Sequence, residues 1–183
     1  MIGKIKFCTH CGHPVTLAIP RGDNRERHIC ERCDFIQYQN PKIVSGCIPC
    51  WGNKILLCKR AIEPRKGFWT VPAGYLEIGE TIEQGARRET LEEACAVVES
   101  LDLYQIYNLP KIGQVYMIFK GRLKGPDGFG IGEESLDVKL VEETDIPWDK
   151  MAFKVIHSTL SRFVEERKQG EFSFRIDSTD YKW

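Results

Sequence analysis

The chain of 183 residues carries no excess charge of either sign: Lys and Arg number 26, and Asp and Glu number 26. That balance excludes the global basic field that would concentrate a protein on nucleic acid or an anionic membrane. Long apolar runs are missing too. No stretch reaches the ~18 consecutive apolar residues of a membrane span, and Met1 to Phe7 runs into Cys8 and His10 before the apolar core of a secretion signal develops. A cytoplasmic protein with no membrane partner is the expectation. Internal repeats and low-complexity tracts are absent, and 42% apolar with 28% charged residues excludes disordered, collagen-like and coiled-coil chains. The length holds one core and a small appendage, since domains mostly run to about 100–150 residues. Charge that serves a function must therefore be local.

Cysteine is what the chain has in quantity, with eight. Reducing compartments keep thiols unpaired, which favours metal ligation over disulfides. Cys8-Thr9-His10-Cys11 and Cys30-Glu31-Arg32-Cys33 are two C-x2-C pairs with 18 residues between them, the spacing of a zinc ribbon. Four thiolates close a tetrahedral shell around Zn2+ and leave no position for water, so such a site is structural. Gly12 and Asp34 follow the pairs where each knuckle must turn sharply, and His10 reads as a solvated bystander. Cys47-Ile48-Pro49-Cys50 shares the spacing but lies in a strand-like run, where positions three apart face opposite sides. Cys47, Cys50, Cys58 and Cys95 are therefore expected to pack.

Composition changes at Tyr38-Gln39-Asn40-Pro41, which sets the expected boundary between a ribbon of residues 1–38 and a domain of 39–183. Residues 42–50 and 54–60 read as a hairpin around Trp51-Gly52-Asn53, 68–72 as a short aromatic strand, and 104–108, 114–123 and 136–141 as further strands. Thr81-Ile82-Glu83-Gln84 has the capping-box form and opens a helix to about Cys95. A second helix is expected over 149–168, with Ala152, Val155, Ile156, Leu160, Phe163 and Val164 at helical spacing and Gly170 as its stop. Phe172 to Ile176 alternates like one more strand. The implied class is α/β (α+β), a mixed sheet covered by helices.

Chemistry concentrates in residues 74–95, where six acids face Arg87 and Arg88 alone. At about 100° per residue, Glu89, Glu92 and Glu93 share an arc about 100° wide. Like charges at that spacing each cost a few tenths of a kcal/mol on an exposed helix, so the cluster is unfavourable unless a cation sits there. Oxygen-only ligation suits Mg2+ or Mn2+, which keep waters and bind a substrate's phosphates. Gly85 lies on the same arc, where a bulky ligand's approach would explain a residue that costs about 1 kcal/mol in a helix. A solvated acidic helix is the alternative.

Gly74, five residues, Glu80, seven residues, then Arg88-Glu89-Thr90-Leu91-Glu92-Glu93 resembles the box of the Nudix hydrolases, G-x5-E-x7-R-E-U-x-E-E-x-G-U, U being bulky and apolar. Thr90 stands where an apolar residue is usual and Cys95 where the last glycine is usual. With its ribbon, the chain is similar to the zinc-ribbon-bearing members, a group that includes NADH pyrophosphatases. The wording around Tyr38-Gln39-Asn40-Pro41-Lys42 and Trp69 to Glu77 is nearer to enzymes acting on FAD and ADP-ribose. The resemblance implies an α/β/α sandwich with Glu89, Glu92, Glu93 and the carbonyl of Ala73 holding Mg2+ or Mn2+. It further implies that Arg88 braces the acids and that Glu80 supports them from just before the helix. The reaction implied is hydrolysis of the pyrophosphate in a nucleoside diphosphate linked to a second group, releasing AMP from FAD or ADP-ribose.

A general base in this family often comes from a loop outside the box. Glu134, in Glu133-Glu134 after Gly128-Phe129-Gly130-Ile131-Gly132, is the candidate, and a Gly-rich loop is also where mobile lids occur. Phe68, Trp69 and Tyr75 are candidates to stack on a substrate ring, with core packing as the alternative. The S-Q-P-W-P-F-P-x-S element that marks NADH pyrophosphatases is absent from 103–110, which reads Leu-Tyr-Gln-Ile-Tyr-Asn-Leu-Pro, while Pro110 resembles ADP-ribose-cleaving members. The rival reading is a non-catalytic nucleotide sensor, or a ribbon that recruits nucleic acid or protein. Residues 1–38 carry six basic and four acidic residues, and four thiolates with one Zn2+ cancel the surplus, a poor phosphate footprint. The ribbon is instead expected to extend the fold or to form a homodimer contact.

Overall fold

The computed structural model describes residues 5–179, so the opening four residues and the last four of the chain lie outside the described part. The chain divides between Pro41 and Lys42 into two compact units.

The smaller unit is an antiparallel three-stranded sheet of β1 (Thr16–Ala18), β2 (Arg27–Ile29) and β3 (Ile36–Gln37). Among the described residues too few apolar side chains are buried here for a core. Cys8 and Cys30 are its buried thiols, and the order comes from the two knuckles. Gly12 (φ 72°) and Asp34 (φ 58°) take the left-handed turn, and their amides return to the carbonyls of Cys8 and Cys30 at 2.9 and 2.8 Å.

The larger unit is built on β4 (Lys42–Trp51), β5 (Lys54–Arg60), β6 (Trp69–Thr70), β7 (Ala73–Tyr75), β8 (Val98–Leu109), β9 (Gln114–Leu123), β10 (Ser135–Val141) and β11 (Arg175–Ser178). The sheet order is β10-β5-β4-β9-β8-β11, with β6 beside β5 and β7 beside β4. It is mixed: β4 runs parallel to β9, and β11 parallel to β8. Helix α1 (Ile82–Ala94) covers one face and α2 (Lys154–Gln169) the other. Strand alternation makes the two layers. In β5, Leu56 and Cys58 pack under α1 with Ala86, Phe119 and Val138, while Ile55 and Leu57 pack under α2 with Ile156, Leu160 and Phe163. Each such aliphatic or aromatic side chain contributes roughly 1.5–3 kcal/mol on burial, so α2 is held by its apolar stripe.

Differences from the sequence reading have local causes. Helix α2 starts at Lys154 and not at 149, because Met151 pairs with Trp69 and the Ala152 amide donates to Trp69 O at 2.8 Å. Strand β8 begins at Val98, six residues earlier than expected, paired with β9 through two register shifts. The tail strand lies at 175–178 instead of 172–176, since Phe172 is used as a side chain against Tyr104 and Phe163. Cys47 and Cys58 are buried in the α1 layer and Cys50 packs toward the α2 layer, but Cys95 is exposed. It caps α1 in the left-handed conformation (φ 50°), a turn glycine makes without strain.

Candidate active site

The capping box fixes where α1 begins. Thr81 Oγ1 accepts from the Gln84 amide at 3.3 Å and Gln84 Oε1 accepts from the Thr81 amide at 2.7 Å. From that start Glu89 and Glu93 turn toward the sheet and are buried, at 8% and 5% exposure, while Glu92 stays at the surface. Glu89 lies directly on the main chain of β7. A Cβ on Gly74 would stand 2.2 Å from Glu89 Oε1, so glycine is required for that approach. Gly85 does not face a ligand: it is buried against Leu76, whose Cδ1 would stand 2.8 Å from a Cβ there. Thr90, at the position usually apolar, is fully buried with its hydroxyl donating to Ala86 O at 2.7 Å. That bond removes the cost of a polar group in the core.

Arg88 is spent within the cluster. Its Nε and Nη2 donate to Glu80 at 3.0 and 2.8 Å, Nη1 to Glu89 at 2.7 Å and Glu92 at 2.9 Å, and Nη2 also to Tyr75 O at 3.1 Å. Those bonds, with the Glu77 amide, hold the Glu80 carboxyl down at about 2. Among the described residues no guanidinium bonds to Glu93, whose Oε2 is buried without a partner. Burial first, then the charges of Glu89 and Glu134, push Glu93 up to about 8 against the pull of Arg60 and the Ala73 N–H. Burial raises Glu89 as well. An unpaired buried carboxylate is costly in low dielectric, and an oxygen-only donor set with surplus negative charge fits a hard divalent cation.

These groups line one cleft of about 920 Å3, which brings together Ala73, Gly74, Tyr75, Arg88, Glu89, Glu92, Glu93, Glu133 and Glu134. Two of the three proposed stacking aromatics are elsewhere. Trp69 is buried in the α2 layer, and Phe68 carries Arg65 over its ring outside the cleft lining. Tyr75 alone is in the wall, half-exposed, with Lys42 Nζ 4.8 Å from its ring centroid and its hydroxyl accepting from Gln114 Nε2 at 2.8 Å. Pro110 opens a turn between β8 and β9 and does not line the cleft.

Sequence reasoning missed Arg60, Gln114, Tyr116 and Phe153, which complete the cleft from three different elements. Arg60 donates through Nε to Pro64 O at 2.9 Å and lies 5.1 Å from the Phe153 ring centroid, and no carboxylate pairs with it among the described residues. The one signal in the sequence was a cation at the end of an apolar strand.

In the ribbon, the Sγ atoms of Cys8, Cys11, Cys30 and Cys33 lie within 4.8 Å of one another, with none in a disulfide. The His10 amide donates to Cys8 Sγ at 3.3 Å while its ring packs on Phe35. Four convergent thiols with amide support fit a closed, tetrahedral thiolate metal site.

A crystal structure of a NUDIX hydrolase from Nitrosomonas europaea is 54% identical, with a TM-score of 0.92 over 96% of this chain and 99% of that one. The NAD-capped RNA hydrolase NudC of Haemophilus influenzae (strain PittGG) is 28% identical over 89% of this chain, which spans 63% of that relative's length. An ADP-ribose pyrophosphatase structure from Streptococcus suis shares the fold at 22% identity and a TM-score of 0.61, over 75% of this chain and all of that one. The model for the Nudix N-terminal zinc ribbon matches residues 6–39 and that for the NUDIX domain matches 41–163, so the chain belongs to the Nudix hydrolase family.

Proposed function

We propose that this protein hydrolyses the pyrophosphate bond of a nucleoside diphosphate linked to a second group, with FAD or ADP-ribose as substrate and AMP as product. The observation that carries the reading is the buried, unpartnered Glu93 Oε2 beside Glu89 and Glu134 in a cleft of about 920 Å3. Such a site needs a cation to be stable when charged. Glu89, Glu92, Glu93 and the Ala73 carbonyl would hold Mg2+ or Mn2+, which when bound neutralises the pyrophosphate and lowers the pKa of a water. Glu134 takes the proton of the attacking water, and Arg88 keeps Glu80, Glu89 and Glu92 in register. Arg60 offers its free Nη nitrogens to a phosphate oxygen. Tyr75 stacks on the ring of the leaving nucleotide, with Gln114 fixing its hydroxyl. In the ribbon, Cys8, Cys11, Cys30 and Cys33 hold one structural Zn2+.

A second reading rests on the NudC relative, whose name points to NAD-capped RNA. Both readings share the bond that is broken. Purified protein with Mg2+ and a panel of FAD, ADP-ribose, NADH, NAD-capped RNA and nucleoside triphosphates separates them. AMP released fastest from FAD or ADP-ribose is the expected result; brisk turnover of NAD-capped RNA or a triphosphate, with neither of the first two cleaved, overturns the substrate assignment.

A further inference from the structure

The loop that carries Glu133 and Glu134 does not hang over the cleft as a free lid. It is tied to the C-terminal turn of α1. A helix leaves its last four carbonyls without partners, and in α1 the Cys95 amide turns back to Leu91 and Thr90. The last two carbonyls of the helix, those of Glu93 and Ala94, are taken by the loop. The Gly130 amide donates to Ala94 O at 2.7 Å, and Glu93 O accepts twice, from the Gly132 amide at 3.2 Å and from Ser135 Oγ at 2.7 Å. Gly132 lies so close that a Cβ there would stand 1.8 Å from Glu92 O. No side chain fits that position without moving the loop or the helix.

Strand β10 explains why a serine hydroxyl points into this buried site. Its pairing with β5 shifts register between Ser135 and Asp137, and such irregularities re-aim a side chain. Strict alternation would put Ser135 and Val138 on opposite faces, yet both are buried. The shift turns Ser135 inward onto Glu93 O. On the far side of the loop the Ala61 amide donates to Glu134 O at 2.8 Å. Glu134 is thus anchored on one flank to the strand end that bears Arg60 and on the other to the residue that bears the buried acid.

We propose that Ser135 and Gly132 are positioning residues: through the main-chain carbonyl of Glu93 they lock the 128–134 loop to α1, and so hold the Glu134 carboxylate at a set place opposite Glu93. This rests on Glu134 being the base proposed above. Helix capping and base placement are one set of hydrogen bonds, so loosening the clasp displaces the base without emptying the core. Ser135→Ala is the variant of choice, because Glu93 O keeps its bond from Gly132 and the fold survives, whereas Gly132→Ala clashes with main chain.

A double-mutant cycle in the full chain tests this, using Ser135→Ala, Glu134→Gln and the pair on the best substrate of the panel at saturating Mg2+. Ser135→Ala is expected to lower kcat by about tenfold with KM within about twofold, as small misplacements of a catalytic group do. In the Glu134→Gln background the same change should cost almost nothing. Equal losses in both backgrounds, or wild-type kcat in Ser135→Ala, would overturn the proposal. Amide hydrogen exchange of residues 128–135 in metal-free protein gives a readout independent of turnover. Exchange in Ser135→Ala should be several times faster than in wild type, and unchanged exchange also overturns the clasp. If Glu134→Gln is itself fully active, the assignment of the base fails, and the exchange result alone decides whether the loop is held by Ser135.

Discussion

Helices α1 and α2 each carry an arginine among buried acids, and the two clusters end differently. On α2, Glu166 is closed: Tyr104 donates to it at 2.8 Å, Arg162 at 3.1 and 3.4 Å, and Ser173 at 2.9 Å. The Arg162 guanidinium also covers the Tyr104 ring at 4.5 Å. Both carboxylate oxygens are used, although a cleft of about 570 Å3 opens beside them with Glu165 and Glu171 in its lining, and what is left over is a donor, the buried Arg162 Nη1. On α1, Arg88 serves three carboxylates and leaves a fourth, Glu93, with a buried oxygen unpaired. A buried carboxylate with every oxygen paired ties segments of a fold together; one left short of positive charge can take a cation that arrives later.

Glu93 is where a single substitution should have the largest effect. Glu93→Gln is expected to lower kcat about a thousandfold, roughly 4 kcal/mol of barrier, while metal-free protein melts no lower than wild type; kinetics and calorimetry read the two effects. At the closed cluster the signs reverse. Glu166→Ala strands a buried guanidinium and should cost about 3 kcal/mol of stability in urea denaturation, with little change in kcat.

Acidity separates the clusters next. Glu93 titrates near 8 in the folded protein against 4.5 for the free group, so the native state retains a proton that the unfolded chain has released. Stability from this group is full below about 4.5 and is lost as pH rises toward about 8. Thermal unfolding in chelator should show Tm falling over that window, Mg2+ should restore it by binding the native state, and Glu93→Gln should flatten the slope. The smallest test concerns how the helices stop. Helix α2 ends on Gly170 (φ 75°) and α1 on Cys95 (φ 50°). Cys95→Gly should therefore gain about 0.5–1 kcal/mol in denaturant, the left-handed strain less the entropy of glycine.

Local signals were the readable ones. The cysteine spacing, the capping box at Thr81 and the apolar stripe from Val155 to Val164 each lie within a few residues of what they specify, and each has its counterpart in the structure. What escaped depends on partners far away in sequence. Met151 is extended because Trp69 pairs with it, and Ser135 faces inward because β10 shifts register where it pairs with β5. Trp69 reads as either a substrate ring or a core residue until the sheet buries it. Arg60, Gln114 and Phe153 meet only after three elements fold, and no spacing along the chain encodes that meeting.

Strand β4 has one more effect. Val44 sits opposite Tyr75 on β7 and opposite Tyr116 on β9, so the two tyrosines are two interstrand steps apart, roughly 10 Å. That breadth is set by peptide geometry and not by side chains. Substitutions along the row can change what the floor of the cleft recognises, polar edge or flat ring, but its width behaves as a fixed gauge across descendants of this scaffold.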